Sequence, residues 1–331
     1  MVEIAGVDPF DEQALRAWFD AEQVAFHAGR PYAYSRTFEA LAAAVRDPGE
    51  YVRRDLVTAR DGDVVVGTGE LELSLNDNTH LAEVAVHVVP ARRREGIGTA
   101  LLDRLDALRR EAGRTTVIAE LFVPDGAVGR AGLEFATRAG FGSVHVEDHL
   151  VLDLPVAADR LAARRAELDG AGAAYEVVTW GDRCPAELRA GYCRLKTQMA
   201  DDVPVGELDW EPIVYDESRL RSFEERMVRS YRQVVAAARD ADGELVGHSQ
   251  VFLPHGQPTA IQGDTLVMPA LRGHRLGTLL KLATLEVVAR EHPDRTVLHT
   301  WTDPENHAMH RTNLRFGYRV VEQMHEMQRR D

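Results

Sequence analysis

Two short turns rich in arginine and glycine are candidate sites for binding phosphate. The first spans residues 93–98 with the sequence R-R-E-G-I-G, and the second spans residues 272–277 with the sequence R-G-H-R-L-G. Each follows a β-branched segment and precedes leucines at helical spacing. Glycine lets the backbone approach an anion closely, and the start of a helix presents unpaired N–H groups at the positive end of its dipole. We therefore predict a diphosphate site at one or both turns, with the arginines adding charge.

Three carboxylates lie on the segments beside these turns and are candidate general bases. Glu83 precedes the first turn, Glu120 lies on the next strand-like segment, and Asp264 precedes the second turn. A positioned carboxylate can accept a proton from a reacting nucleophile. The structural alternative, a solvated carboxylate on the outer face of a strand, stays open for each of them.

Other kinds of chemistry find little support in the motifs. The chain has no G-x-x-x-x-G-K-[ST] loop for a nucleoside triphosphate and no third glycine to complete a dinucleotide-binding fingerprint. It has no H-E-x-x-H pattern and no G-x-S-x-G nucleophile turn. We therefore expect neither a metal site nor a serine hydrolase.

The elements that must position these residues occur twice along the chain. A turn dipeptide and a β-branched run extend from Asp61 to Gly67 in the first copy and from Asp242 to Gly247 in the second. A strand ending at a proline, the arginine-rich turn, a helix, another strand and a closing helix then follow in both copies. The copies are about 180 residues apart throughout. This order predicts two similar domains.

Length and composition agree with two globular domains. At 331 residues the chain exceeds the size that one hydrophobic core usually organises. Residues 155–175 are rich in alanine, arginine and glutamate and indicate a helix with a connector. We predict an N-terminal domain over residues 1–154, a connector over 155–175 and a C-terminal domain over 176–331.

The charge balance excludes some partners. Lysine and arginine number 39 against 53 aspartates and glutamates, which gives a formal net charge of -14. An acidic surface repels nucleic acid and attracts cationic amines. The sequence has no apolar run long enough for a membrane span and no secretory leader, and it has two cysteines, Cys184 and Cys193. We expect a cytoplasmic protein with no nucleic-acid or membrane partner.

The order of the motifs resembles the GNAT superfamily of acyl-CoA-dependent N-acyltransferases. The matching residues are Val88-Val89-Pro90, then Arg93-x-x-Gly96-x-Gly98, and Gly140-Phe141 after the closing helix. The tandem arrangement is similar to actinobacterial tandem GNAT proteins, among them mycothiol synthase. The resemblance implies an α/β (α+β) fold class with two GNAT folds in tandem. Each would have a mixed, mostly antiparallel sheet with a V-shaped splay and flanking helices.

The resemblance also implies acetyl-CoA, or another acyl-CoA, as cosubstrate. In this family the strand before the turn binds the pantetheine arm, which assigns Val86, His87 and Val88 to that role. The turn binds the pyrophosphate, which assigns that role to Arg93, Arg94, Glu95, Gly96, Ile97, Gly98 and Thr99. In the second copy the matching residues are Arg272, Gly273, Arg275 and Gly277, with Asn306 near pantetheine. Glu83 has a position that resembles the base of some members.

The two copies depart from the family pattern in different ways. Arg275 replaces the glycine at the position of Gly96, where the backbone should approach the anion most closely. The tyrosine expected near the departing sulfur is replaced by Ala136 in the first copy and by Asn313 in the second. Each copy keeps part of the usual site, so the sequence leaves open which of them is catalytic.

The sequence thus predicts an N-acetyltransferase that acts on an amine of a small metabolite, amino sugar or natural product. Transfer would be direct, within a ternary complex of a monomer or homodimer. Two alternatives stay open. One is a non-catalytic CoA-binding sensor, because neither copy has the expected tyrosine; the other is a mycothiol-synthase-like acetyltransferase.

Overall fold

A computed structural model of the chain describes residues 2–124, 127–168, 170, 174–202 and 206–331, without the side chains of residues 127–129. Part of the predicted connector, residues 169 and 171–173, lies outside this description. The first half of the sequence forms β1 (Glu3–Gly6), α1 (Glu12–Phe26), α2 (Phe38–Arg46), β2 (Val52–Asp61), β3 (Val64–Ser74), β4 (Leu81–Val88), α3 (Ile97–Glu111), β5 (Thr116–Val123), α4 (Ala127–Arg138) and β6 (Gly142–Asp153).

The second half repeats this series after a linking helix. It forms α5 (Ala158–Ala166), β7 (Glu176–Trp180), α6 (Arg189–Asp202), α7 (Glu217–Met227), β8 (Tyr231–Arg239), β9 (Leu245–Pro254), β10 (Thr259–Val267), α8 (Leu276–Glu291), β11 (Val297–Thr302), α9 (His307–Phe316) and β12 (Arg319–Arg330). The strand, turn and helix that carry each predicted phosphate site are β4 and α3 in the first half and β10 and α8 in the second.

The chain divides into two compact units that exchange their last strands. Unit 1 contains Met1–Val146, Val205–Glu211 and Glu322–Asp331, and unit 2 contains Glu147–Pro204 and Pro212–Val321. The end of β6 therefore belongs to unit 2, and the end of β12 belongs to unit 1. The boundaries predicted at residues 154 and 176 mark the sequence repeat and stay a prediction.

Each unit contains a mixed sheet with one parallel pair of strands. The strand order is β1-β2-β3-β4-β5-β12 in unit 1 and β7-β8-β9-β10-β11-β6 in unit 2. The parallel pairs are β4 with β5 and β10 with β11, and the remaining pairs within each unit are antiparallel. The predicted fold class, two mixed and mostly antiparallel α/β folds in tandem, is confirmed.

Helix α3 covers one face of the sheet of unit 1, and α1 and α2 cover the other. Leu101 and Leu105 of α3 share a core with Val57 of β2. The next residue along β2, Leu56, packs with Trp18 of α1 in a second core. Neighbouring residues of a strand point to opposite faces, so these contacts assign the helices to opposite sides.

Glycines in β3 and β9 let the covering helix of each unit approach closely. A Cβ at Gly67 would lie 3.0 Å from Leu101 Cδ1, and a Cβ at Gly247 would lie 3.2 Å from Leu280 Cδ1. The glycine that ends each β-branched run in the sequence therefore makes room for the helix that follows the arginine-rich turn. This contact positions the first turns of α3 on β3 and of α8 on β9.

Unit 2 has the same layers. Leu276 and Leu280 of α8 share a core with Ala236 of β8. The neighbouring residue Val235 packs instead with Tyr192 of α6. The faces covered by α1 and α2 in unit 1 and by α6 and α7 in unit 2 are therefore equivalent.

Because the end of β12 belongs to unit 1, we expect Met327 of this strand to stabilise unit 1. Met327 is 2% exposed and packs in the core beneath α3. We expect Met327→Ala to cost about 2–5 kcal/mol of unfolding free energy, because it leaves a cavity in that core. Hydrogen exchange should speed up in α3 and β3 and stay unchanged in α8 and β9. Faster exchange confined to α8 and β9 would contradict the assignment of this strand.

Candidate active site

A wedge-shaped gap opens between the two parallel strands of each unit. Strand β4 pairs with β5 only from Leu81 to Glu83 among the described residues, and β10 pairs with β11 only from Thr259 to Ile261. Beyond these positions the strands separate, although β4 stays paired with β3 as far as Val88. Glu83 thus lies at the vertex of the gap in unit 1.

Backbone amides of β4 point into this gap. The amide of Val89 donates to Val66 O on the β3 side at 3.1 Å. Because amide direction alternates along an antiparallel strand, the amides of Val86 and Val88 point to the opposite side. They line the gap with donors for a carbonyl or an amide of a bound molecule.

An arginine in each turn binds the last carbonyl on the gap side. Arg93 Nε donates to Val88 O at 3.1 Å, and Arg272 Nε donates to Val267 O at 3.2 Å. Arg93 also donates to Ala25 O at 3.3 Å. The predicted role of these arginines in phosphate binding therefore coexists with a structural role in holding the end of the strand.

The two turns have the same backbone conformation with arginine and glycine exchanged. Arg94 and Gly96 have positive φ angles of 70° and 81°, and Gly273 and Arg275 have 87° and 62°. The left-handed region is strained for arginine and free of strain for glycine. The family resemblance placed Arg275 at the position where the backbone should approach an anion. In the structure, the guanidinium of Arg275 donates a hydrogen bond to the carbonyl of Glu167.

Each turn ends in a helix start with free amides. Ala100 donates to Gly96 O at 3.1 Å and Leu279 donates to Arg275 O at 3.1 Å, and these are the first bonds of α3 and α8. The amides before them, including those of Ile97, Gly98 and Thr99, have no partner within the helix. An added Cβ at Gly96 would meet no atom within 4 Å. The turn in unit 1 is therefore open and suited to an anion.

Several other predicted residues make local contacts. Arg94 lies 3.5 Å from Glu134, and Glu95 binds Arg92 at 2.9 Å. Gly277 directly follows the first residue of α8 and packs beside Thr265 and Val267. Asn306 caps α9, where its Oδ1 accepts from the Met309 amide at 3.1 Å.

A row of carboxylates crosses four neighbouring strands of unit 1. Glu72 of β3 lies opposite Glu83 of β4, and Glu120 of β5 lies opposite Glu326 of β12. Like charges placed directly opposite destabilise a sheet. Arg54 binds Glu72 at 2.5 Å and so offsets part of this repulsion, and the other three carboxylates of the row are suited to binding a cation.

The row lies on the face away from α3. Ala82 and Val84, which flank Glu83, pack into the core beneath α3, as does Met327 beside Glu326. Alternation along the strands therefore turns the four carboxylates toward the side of α1 and α2. The gap connects the turn with this acidic face.

Burial and neighbouring carboxylates raise the pKa values of Glu83 and Glu120. Burial, followed by the charges of Glu72 and Glu120, raises the pKa of Glu83 to about 8. Burial and the charge of Glu326 raise the pKa of Glu120. Glu83 is nevertheless exposed to solvent, so it lies among protein atoms at the floor of an open cleft. A carboxylate of this pKa is a stronger base than an ordinary glutamate.

Aromatic and arginine side chains border the cleft. Phe26 at the end of α1 contacts His87 of β4 and Phe122 of β5, with ring centroids 5.6 and 5.7 Å apart. Arg30 stacks on Phe26 and Phe122, and Glu322 binds its guanidinium. Apart from His87, these residues were not predicted. Alternation along β5 gave a signal for Phe122, because Ile118, Glu120 and Phe122 share a face.

Unit 2 has a neutral cleft at the equivalent positions. The register places Phe252 opposite Ile261 and His149 opposite Trp301, where unit 1 has its two pairs of glutamates. His149 stacks on Trp301 with ring centroids 4.5 Å apart and bonds through Nε2 to His299 Nδ1 at 2.9 Å. The two clefts share a backbone and differ in the charge of their lining.

Asp264 lies at a register shift that β4 lacks. The pairing of β10 with β9 shifts between Gln262 and Thr265, and Asp264 within this bulge binds Lys196 of α6. Burial alone would raise the pKa of Asp264, but the Lys196 ammonium outweighs it and lowers that pKa. A carboxylate held in this ion pair is a weak base.

Asn313 lies in the interior of unit 2. It is fully buried, and its Nδ2 donates to Thr302 Oγ1 at 3.0 Å. Ala136 of α4 packs against the core of unit 1. Both residues at the position of the expected tyrosine therefore pack inside their units, and neither side chain carries an acidic proton.

Features elsewhere in the described chain do not combine an anion site with a base. Two surface depressions, one beside Arg54 and Arg104 and one beside Tyr175 and Arg239, contain none of the predicted site residues. No cluster of three potential metal ligands occurs among the described residues. None of the described helices has the length and apolar character needed to cross a membrane.

The sequence matches one family twice. The model of the acetyltransferase (GNAT) family matches residues 13–141 and again residues 203–318. Each match includes one of the two turns and the gap beside it. Comparison with curated proteins gave no match.

Solved structures support the tandem arrangement. The chain is similar over 100% of its length to a tandem GNAT protein from the clavulanic acid biosynthesis pathway, with 30% identity, a TM-score of 0.81 and 98% coverage of that protein. A GCN5-related N-acetyltransferase from Sphaerobacter thermophilus has the same fold, at 14% identity and a TM-score of 0.66 over 99% of this chain and 95% of that one. Two successive family matches and a full-length tandem relative show that the chain belongs to the acetyltransferase (GNAT) family and is an N-acetyltransferase with two GNAT domains.

Proposed function

We propose that unit 1 transfers an acetyl group from acetyl-CoA to the amine of a small molecule. The observation that carries the proposal is the position of Glu83 on the acidic face at the vertex of the gap, on the strand that leads to the first arginine-rich turn. One opening thus connects a place for the coenzyme with a base and with a place for a cationic acceptor.

The coenzyme would bind along the gap. The free amides at residues 97–99 and the charge of Arg94 suit the pyrophosphate, because backbone donors at a helix start favour anions. The amides of Val86 and Val88 would pair with the pantetheine arm and polarise the thioester carbonyl. His87 lies between them on the acidic face, and its pKa is lowered to about 4 by burial, so it stays neutral near the thioester.

The acceptor would enter as a cation and react as a neutral amine. An ammonium group beside Glu120 and Glu326 relieves the repulsion between these two carboxylates. Glu83 takes one proton, the amine nitrogen attacks the thioester carbonyl, and the carbon–sulfur bond breaks to leave CoA thiolate. The nitrogen then gives up a second proton, which ends on the thiolate directly or through water. The products are the amide and CoA.

Unit 2 is assigned a supporting role in this proposal. Its cleft has no carboxylate row, and Asp264 is neutralised by Lys196, so we do not assign it the general base. The turn at residues 272–277 has the same backbone conformation as the first and stays a candidate for a second coenzyme molecule. The acceptor's identity, a cytoplasmic location and a monomeric or homodimeric state stay predictions from the sequence.

A non-catalytic sensor is the second candidate. The observation that favours it is the absence of a tyrosine at Ala136 and Asn313, the two positions where the family pattern has the acid for the thiolate. Tight binding of acetyl-CoA with no release of CoA across a broad panel of primary amines would support it. A mycothiol-synthase-like activity is the narrower enzymatic alternative, and a cysteinyl glycoside in that panel tests it.

The coenzyme assignment predicts the effect of a charge placed at the first turn. In a chain that carries Gly273→Glu to block the second turn, Gly96→Glu should abolish the binding of acetyl-CoA measured by calorimetry. A negative side chain at this position repels the pyrophosphate. Gly113→Glu is the matched control, because Gly113 ends the same helix with a φ of 72° and equal free space.

Two results would contradict this assignment. Unchanged binding after Gly96→Glu removes the coenzyme from the first turn. Loss of binding with Gly273→Glu alone assigns the coenzyme to unit 2 instead.

The base assignment predicts a pH profile. With an amine that the panel identifies as an acceptor, kcat/KM should rise about tenfold per pH unit below pH 8 and level off above it, because Glu83 must lose its proton to act. Glu83→Gln should remove this limb and lower kcat/KM by about a hundredfold or more. Glu120→Gln is the control: it should keep the limb and move its midpoint to lower pH, since Glu120 raises the pKa of Glu83. An unchanged limb in Glu83→Gln would refute the assignment.

A further inference from the structure

The aromatic contact at the gap spans both of the separated strands. His87 lies on β4 and Phe122 lies on β5, each beyond the last paired residues of those strands. Phe26 contacts both rings edge to face, at interplanar angles of 83° and 77°. The ring of Phe26 therefore covers the gap on the side of α1, which is also the side of Glu83.

This cover is held in place by a buried ion pair. The guanidinium of Arg30 lies 4.3 Å from the centroid of Phe26 and 4.1 Å from that of Phe122. Glu322 accepts from Arg30 Nε at 2.8 Å and from Nη2 at 2.7 Å. The side chains of Arg30 and Glu322 are 7% and 4% exposed, so the fork is shielded from solvent. Stacking and a bidentate pair together restrict the motion of the Phe26 ring.

A thioester in the gap would meet this cover directly. The amides of Val86 and Val88 flank His87 along β4, and they are the donors that face the gap. An acyl group that extends from them toward the side of Glu83 meets the Phe26 ring, which contacts His87 and Phe122. A short acyl group leaves the ring in place, and a longer chain must displace it together with the Arg30 stack.

We infer that Phe26, positioned by Arg30 and Glu322, limits the acyl group accepted by unit 1 to two or three carbons. The inference rests on the proposed binding of acyl-CoA in unit 1. It concerns the selection of the acyl donor and requires no change in the transfer chemistry. Phe26 is thus a specificity-determining residue.

The test compares the binding of CoA, acetyl-CoA and butyryl-CoA by calorimetry in a chain that carries Gly273→Glu, so that unit 1 alone reports. The parent should bind butyryl-CoA at least about tenfold more weakly than acetyl-CoA, since single methylenes commonly change affinity by that factor in a packed pocket. Phe26→Ala should reduce this ratio to near one and leave the affinity for CoA unchanged. Phe26→Leu, which keeps more of the packing, should reduce the ratio by less.

Phe19→Ala is the matched control. Phe19 lies on the same helix and makes a similar edge-to-face contact, but with Phe38 of α2, at 5.7 Å. It should leave the ratio of butyryl-CoA to acetyl-CoA affinity as in the parent. CoA binding in each variant serves as the check that the site is folded.

The outcomes separate the inference from the function on which it rests. If CoA binds and the ratio in both Phe26 variants equals that of the parent, the inference is wrong while the coenzyme site stands. Equal binding of butyryl-CoA and acetyl-CoA by the parent also overturns it. If the parent does not bind CoA, the proposed function fails and the inference fails with it.

Discussion

Two strands that pair at one end and part at the other determine the chemistry of each unit. Parting leaves backbone groups without a partner strand, and every such group needs another partner. In unit 1 the carbonyl of Val88 is satisfied by Arg93, whereas the amides of Val86 and Val88 remain directed into the gap. Arg93 thus binds the hydrogen-bond acceptor, the Val88 carbonyl, and leaves the amide donors of Val86 and Val88 available. Such donors suit a ligand with carbonyl groups. Arg272 and Val267 repeat this solution in unit 2.

The two units have the same backbone arrangement around the gap, but different side chains line it. Across β3, β4, β5 and β12 unit 1 places glutamates, and at the matching register unit 2 places aromatic, aliphatic and imidazole side chains. These glutamates lie opposite one another and raise the pKa of Glu83. Their repulsion lowers the stability of the cleft in unit 1, as is common at functional sites. In unit 2 the carboxylate of Asp264 is paired with the ammonium of Lys196. We interpret the first lining as reactive and the second as structural or ligand-binding.

Local sequence patterns were enough to predict the fold and the two turns. The remaining site contacts join residues that are far apart in the sequence. The proline, the arginine and the glycines all lie within residues 90–98, so their spacing predicted the turn and its helix. The partner of Glu120 is Glu326, and the partner of Arg30 is Glu322, each more than 200 residues away. Such pairs depend on strand register and on the exchange of β12, which no short pattern encodes. The predicted roles of Glu83, Glu120 and the turn residues stay predictions.

The exchange of the last strands has a consequence for synthesis of the protein on the ribosome. Residues 323–330, which border β5 in unit 1, are translated after all of the residues that form unit 2. Until they emerge, β5 presents an open edge, and such edges invite pairing with other chains. Until residues 323–330 are made, the nascent first half therefore has an unfinished sheet and only three of the four carboxylates of its acidic row. Folding of unit 1 is in this way coupled to the synthesis of residues 323–330.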